Sequence, residues 1–346
     1  MYNKVTGWGN QQLKRFWNSN SGQWVWLTEK PVPLASLNRS LWRGAVPSVN
    51  FYILLFLSGV IATLGLLANS AATIIGAMIV APLMGPIIAI AFAMVAGNRR
   101  LLKRASLTLL TGIALTIITS IVICQGVGLT ALNSEVMGRV RPTLIDLGVA
   151  LAAGAAGAYA KSRRSIADTL PGVAIAVALV PPLSVVGLGL SLGSKSVSGG
   201  AFLLFITNLI GIIFSGGIVF LWQRYGSLKR AKKGLALSVA MLVVLGLPLG
   251  FSLQNLLVKE QVRRSVERLI RRETITFSTS DISAVEVQQQ GNSLLVHLEV
   301  AAPLGSITGK QVSLVREFIE KELKRPIQLK VRVIPINEFE SPARET

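Results

Sequence analysis

Seven stretches of this chain are apolar over lengths that match a lipid bilayer: residues 49–68, 71–96, 105–131, 143–160, 166–193, 199–222 and 235–258. A membrane-crossing helix needs about 20 such residues, because in hydrocarbon every backbone polar group must pair within the protein. Hydrophobic residues make up 51% of the chain and charged residues 15%, with a mean hydropathy of +0.58. These values point to an α-helical polytopic membrane protein with seven transmembrane helices. The fourth stretch is the weakest. Its uninterrupted apolar run covers only Leu147 to Ala160, so it reaches spanning length by starting at Thr143 and taking in Asp146.

Charge placement supplies an orientation. Residues 1–258 hold 21 Lys and Arg against four acids (Glu29, Glu135, Asp146 and Asp168), while the remaining residues hold 14 basic and 12 acidic side chains. A net charge of +19 brings nucleic acid to mind, but the excess lies in short loops between apolar stretches, so no nucleic-acid partner is expected. The tail before the first stretch and the loops after the second, fourth and sixth hold 18 of those 21 basic residues. The positive-inside rule then puts the N-terminus in the cytoplasm and residues 259–346 outside.

The second and fifth stretches share a motif. Gly76-Ala-Met-Ile-Val-Ala-Pro82-Leu-Met-Gly85-Pro86 lies 100 residues before Ala176-Val-Ala-Leu-Val-Pro181-Pro182-Leu-Ser184, and Val80, Pro82 and Leu83 fall on Val180, Pro182 and Leu183. Proline inside a helix removes a hydrogen bond and clashes with the preceding turn. Helices two and five are therefore expected to be broken. With three helices in each unit, a tandem copy must insert upside down, which is the inverted 3+3 repeat of many secondary transporters. Residues 49–131 form the first repeat, 143–222 the second, and 235–258 a seventh helix. The alternative is that two Ala/Gly/Pro-rich helices resemble each other by composition.

The two ends differ from this core. Residues 1–48 carry Trp8, Trp17, Trp24, Trp26 and Trp42 among Lys and Arg, as a segment lying in the headgroup layer does; a partner-docking arm is the rival reading. No apolar run followed by a small-residue cleavage site occurs there, so no signal peptide is expected. In residues 259–346, Val262, Val266, Leu269 and Ile270 stripe a helix. Val285 and Val287, a Gly291-Asn292 turn, and Leu294, Val296, Leu298 and Val300 then read as a hairpin. Val312, Val315, Phe318, Ile319 and Leu323 mark a second helix, and Ile327, Leu329, Val331 and Val333 a last strand, giving a small α-β-β-α-β domain.

Three runs carry a resemblance: Asn69 through Pro86, Gly154-Ala-Ala-Gly-Ala-Tyr-Ala160, and Leu170 through Leu183. Together they closely resemble the hydrophobic-domain membrane proteins of bacteria and archaea, the domain-of-unknown-function family 389, over roughly residues 51–222. The resemblance implies a multi-pass protein of a prokaryotic cell envelope, hence the plasma membrane. It implies no activity.

Cys124 is the only cysteine and His297 the only histidine, which excludes an intrachain disulfide, a cysteine metal site and Ser-His or Cys-His catalysis in the core. An intramembrane enzyme would need paired acids or a nucleophile with a base, so neither enzymatic activity nor a cofactor is expected. Ionisable groups at mid-bilayer tend to be functional. The candidates for a solute or ion pathway are Asn69, Ser70, Pro82, Gly85, Pro86, Asp146, Pro181, Pro182, Ser184 and Asn208. Asp146 has Arg139 and Arg141 nearby to neutralise it. Asp168 opens the fifth helix and reads as a cap, with a pathway role as the alternative, and Asn208 reads either as helix–helix glue or as a ligand contact. Asn69 and Ser70 also suit a plain turn. The expected function is a transporter or channel for a small solute or ion in the lipid bilayer. The abundant Gly and Ala also suit a homo-oligomer. The alternative is a non-transporting scaffold or sensor that signals through its extracytoplasmic domain.

Overall fold

The computed structural model describes residues 31–128, 132–163, 169–273, 281–290, 293–302, 308–323 and 326–335. Asp168, four of the five N-terminal tryptophans and the Gly291-Asn292 turn lie outside the described residues. The chain divides into two units, Met1–Gly250 and Phe251–Thr346.

The first unit is helical. A short amphipathic helix, α1 (Leu34–Gly44), precedes α2 (Val49–Leu67), α3 (Ala71–Val80), α4 (Met84–Ala96) and α5 (Arg99–Val127). The short α6 (Ser134–Met137) leads to α7 (Leu144–Lys161), α8 (Thr169–Ser191), α9 (Lys195–Trp222) and α10 (Leu228–Glu273), of which the part through Gly250 belongs to this unit. Side-chain oxygens cap the starts where the sequence supplies them. Ser48 accepts from Phe51 N–H, Asn98 from Leu101 N–H, and Asn133 from Val136 N–H. The Asn98 cap starts α5 at Arg99 rather than at residue 105, so the basic loop read from the sequence is the helix's first turns. The last helix likewise starts before residue 235 and runs past 258.

Among the described residues, six helices are long and apolar enough to cross a membrane, and α3 with α4 makes a seventh if the pair crosses as one span. The Leu144–Lys161 helix is the least apolar of the six, at a hydropathy of 1.3. The second stretch is broken: α3 and α4 meet at 58° across residues 81–83, where Pro82 has no N–H to continue the ladder. The fifth stretch is not. This corrects the expectation from its two prolines, since α8 runs unbroken through Pro181 and Pro182. The reason lies in its neighbour α9.

Helix α8 is the axis of the unit: 78% of its Ala174–Ser191 segment is buried, against 11% of Leu228–Gly250 in α10. Small residues set how close its neighbours come. Helices α2 and α5 run in the same direction, since Gly112 of α5 meets Phe51 and Leu55, and Gly59 of α2 meets Thr116 and Thr119. Helices α7 and α9 do the same, with Gly200 against Val140, Gly211 against Leu147 and Gly154 against Ile212 and Ser215. Each middle element also packs across the unit, α8 on α5 and α4 on α9.

The segment leading into α2 straps one end of this unit. Val32 N–H donates to Ser162 O (2.9 Å), Tyr225 Oη donates to Val32 O (2.6 Å), and Thr108 Oγ1 donates to Ala45 O (2.9 Å). Burial pushes the Tyr225 phenol above its ordinary value, with Arg163 drawing it partly back, so this tether keeps its proton at neutral pH. Leu37 and Leu41 are buried, and the Arg104 guanidinium lies 5.7 Å from the centre of the Trp42 ring.

The second unit contains β1 (Asp281–Gln290), β2 (Ser293–Ala302), α11 (Gly309–Leu323) and β3 (Ile327–Pro335) in one sheet of order β1-β2-β3. The first pair is antiparallel and the second parallel, so α11 is the crossover that the parallel pair requires. Val296, Leu298 and Val300 are buried on one face of β2, as are Val315 and Ile319 of α11. His297, on the opposite face, pairs in register with Glu286 and Lys330.

Candidate functional site

Proline at 181 and 182 removes the N–H groups that would bond to the carbonyls of Val177 and Ala178 one turn earlier. An unpaired carbonyl in an apolar interior is costly, so a helix survives such a pair only where another donor arrives. Here the donor is Asn208 on α9, whose Nδ2 gives a hydrogen bond to Ala178 O at 2.8 Å. Farther along, Ser120 Oγ of α5 donates to Ser184 O at 2.6 Å. The α3–α4 break is served in the same way: Ser58 Oγ of α2 donates to Ala77 O, one of the last four carbonyls of α3, at 2.8 Å.

Beside the α8 prolines lies a cavity of about 430 Å³. Its walls come from α6 and the turn after it (Ser134, Glu135, Gly138, Arg139), α7 (Asp146, Val149), α8 (Val177, Ala178, Pro182) and α9 (Leu204, Asn208). Three candidates from the sequence, Asp146, Pro182 and Asn208, thus come together on three different helices. Asn208 is 4% exposed, and while its Nδ2 is spent on Ala178, its Oδ1 has no hydrogen-bond partner. Ser184 Oγ and Thr207 Oγ1 are likewise buried without partners.

The charged groups are ordered by their own turns. Asp146 is the third residue of α7, and its carboxylate accepts from the Thr143 N–H (2.7 Å) and hydroxyl (2.8 Å). That is the helix-start role of a capping-box carboxylate. Arg139 does not neutralise Asp146 but bonds to Glu135 one turn earlier, at 2.8 Å to the carboxylate and also to its carbonyl.

The other candidates lie elsewhere. Asn69 has a left-handed backbone (φ 52°), which Asn tolerates, and its Oδ1 accepts from Ser134 Oγ (3.1 Å) and Glu135 N–H (3.2 Å). Ser70 caps α3. Both residues lie in the turn between α2 and α3, Asn69 holds α6, and neither lines the cavity. Pro82, Gly85, Pro86, Pro181 and Ser184 do not line it either. Gly85 is covered by α1: a Cβ there would stand 2.4 Å from Gly44 O. Gly85→Ala is accordingly expected to push α1 off α4, read as faster proteolysis between residues 31 and 48 in the full-length protein, with Gly76→Ala, where a Cβ meets open space, as the unaffected control.

In the sequence Glu135 stands only as a loop acid and Arg139 only as a neutraliser of Asp146. Asn133 as a cap, followed by an acid and a base four apart, is the signature of a short helix there.

Residues 78–214 match the family described as Domain of unknown function (DUF389). An uncharacterized protein of Methanocaldococcus jannaschii is 30% identical over 196 residues, 56% of this chain. The chain spans 61% of that curated relative's length. All the residues lining the cavity, Ser134 to Asn208, fall within the matched segment. The segment that carries this site, residues 78–214, is thus similar to the domain-of-unknown-function family 389.

Proposed function

We propose that this protein is a membrane transporter or channel for a small solute or ion, with its pathway at the cavity between α6, α7, α8 and α9. The observation that carries the reading is a recess of mixed charged and apolar lining, with a buried and half-unpaired Asn208, set among helices otherwise apolar enough to span a membrane. A buried amide oxygen without a donor is costly in a site that only packs. A site that receives a solute leaves such groups open until it is filled.

The packing supports two inverted three-helix repeats, α2–α5 and α7–α9, of which the second supplies walls of this site. In each, the first and third members run together and the middle one reaches across to the other half. The halves differ in their middle member, one bent and one continuous. Seven crossings, a cytoplasmic N-terminus, an extracytoplasmic C-terminal domain and a plasma-membrane location belong to the same proposal. So does a homo-oligomer; the exposed Val243, Val244 and Leu247 of α10 support contact with lipid or with another copy.

Flux in proteoliposomes tests the reading. Val149, half exposed on the cavity wall, tolerates a larger side chain without disturbing the interior. Val149→Trp is expected to abolish flux of whichever solute wild type carries while leaving the melting temperature unchanged. No flux of any cation, anion or small neutral solute from folded wild type would favour a scaffold or sensor instead.

A further inference from the structure

We propose that the cavity binds a small monovalent cation through neutral oxygens, Asn208 Oδ1 and the Val177 backbone carbonyl, an assignment that rests on the pathway reading for its location.

Three observations favour a cation over an anion. First, the donors facing the cavity each already serve a protein acceptor. Asn208 Nδ2 is given to Ala178 O, Arg139 Nη1 to Glu135, and the positive end of α7 is answered by the carboxylate of Asp146. The helix start that would otherwise attract an anion therefore carries its own counter-charge. Second, acceptors are left open. Asn208 Oδ1 has no partner, and Pro181 has no N–H to give to the Val177 carbonyl. Third, the lining holds two carboxylates, Glu135 and Asp146, against one guanidinium, Arg139, a formal balance of 1 − 2 = −1.

The donor set also selects the charge of the ion. Divalent cations are held by clustered carboxylates or imidazoles. Among the described residues, no three His, Cys, Asp or Glu side chains come together. Carbonyl and carboxamide oxygens replace the hydration shell of a monovalent ion, which costs less to dehydrate.

The test uses full-length protein in lipid nanodiscs, with thermal stability measured in sodium, potassium, ammonium and choline chloride at one ionic strength. An ion that binds only the folded state raises the melting temperature saturably. At least one of the three small cations is expected to do so, and choline is not. Val149→Cys is then labelled with a positively or a negatively charged methanethiosulfonate, with wild type, whose Cys124 is buried, as the control. The positive adduct is expected to weaken cation binding by roughly tenfold through repulsion at close range, and the negative adduct is not.

Stabilisation that is lost when sodium gluconate replaces sodium chloride, and that the negative adduct weakens, overturns the proposal but leaves a pathway. An identical response to all four chlorides also overturns it. Flux of a neutral solute without any cation effect overturns the cation site while the transport reading stands. Cation binding without flux has the opposite meaning.

Discussion

Gly154→Ala is expected to destabilise the membrane unit by about 2 kcal/mol or more, in the range of overpacked interiors, even though alanine is the better helix former. A Cβ at this position would lie 2.3 Å from both Ile212 O and Ser215 Oγ, and 2.6 Å from Ile212 Cα. Two of those three atoms are backbone of α9, which cannot swing aside as the end of a side chain does. Helix α7 must therefore move away from α9, and with it the wall that carries Asp146 and Val149. The intrinsic gain from Gly to Ala in a helix interior, about 1 kcal/mol, works against this and is too small to prevail. Gly148→Ala, on the same helix but facing open space, isolates that gain and is expected to be neutral or slightly stabilising. Thermal unfolding in nanodiscs reads both, at about 2–4 °C per kcal/mol for a unit of this size. Equal melting temperatures for the two variants would show that the close approach of α7 and α9 is not obligatory.

The spans were legible because bilayer length and hydropathy are properties of contiguous residues. Val49–Leu67 and Leu144–Lys161 agree with the sequence bounds to within a residue or so. Polar exceptions inside apolar runs were legible for the same reason, and Asp146, Pro182 and Asn208 do meet at one cavity. The continuity of α8 was not. It depends on a donor supplied by Asn208, 30 residues beyond Ala178, and no local rule tells a rescued proline from a breaking one. The covering of Gly85 by Gly44 was equally hidden, since a close backbone approach leaves no mark on sequence except glycine itself. Asn69 and Ser70 were ambiguous because the same side chains suit a turn and a ligand. In the fold Asn69 accepts hydrogen bonds from Ser134 and Glu135, while Ser70 caps α3 at Thr73.

Asn208→Leu keeps roughly the volume of the side chain but removes the donor to Ala178 O, leaving a buried carbonyl that Pro182 cannot serve. Such a group costs about 1–3 kcal/mol, and the carboxamide oxygen disappears with it. Pro182→Ala restores an N–H one turn beyond Ala178 and removes a residue that costs about 3 kcal/mol in an unrescued helix. Together the two substitutions form a cycle. If Asn208 acts as the replacement for the missing N–H, Asn208→Leu destabilises strongly in the wild-type background and far less beside Pro182→Ala. The expected coupling is about 1–2 kcal/mol, within the range seen for residues in one hydrogen-bond network. Cation binding offers an independent reading, because the backbone repair does not return Oδ1. The double variant is expected to fold like wild type and yet to bind the cation at least about tenfold more weakly, as sites lacking one polar partner do. An equal cost of Asn208→Leu in both backgrounds would detach Asn208 from the prolines. Undiminished cation binding by the folded double variant would remove its oxygen from the site.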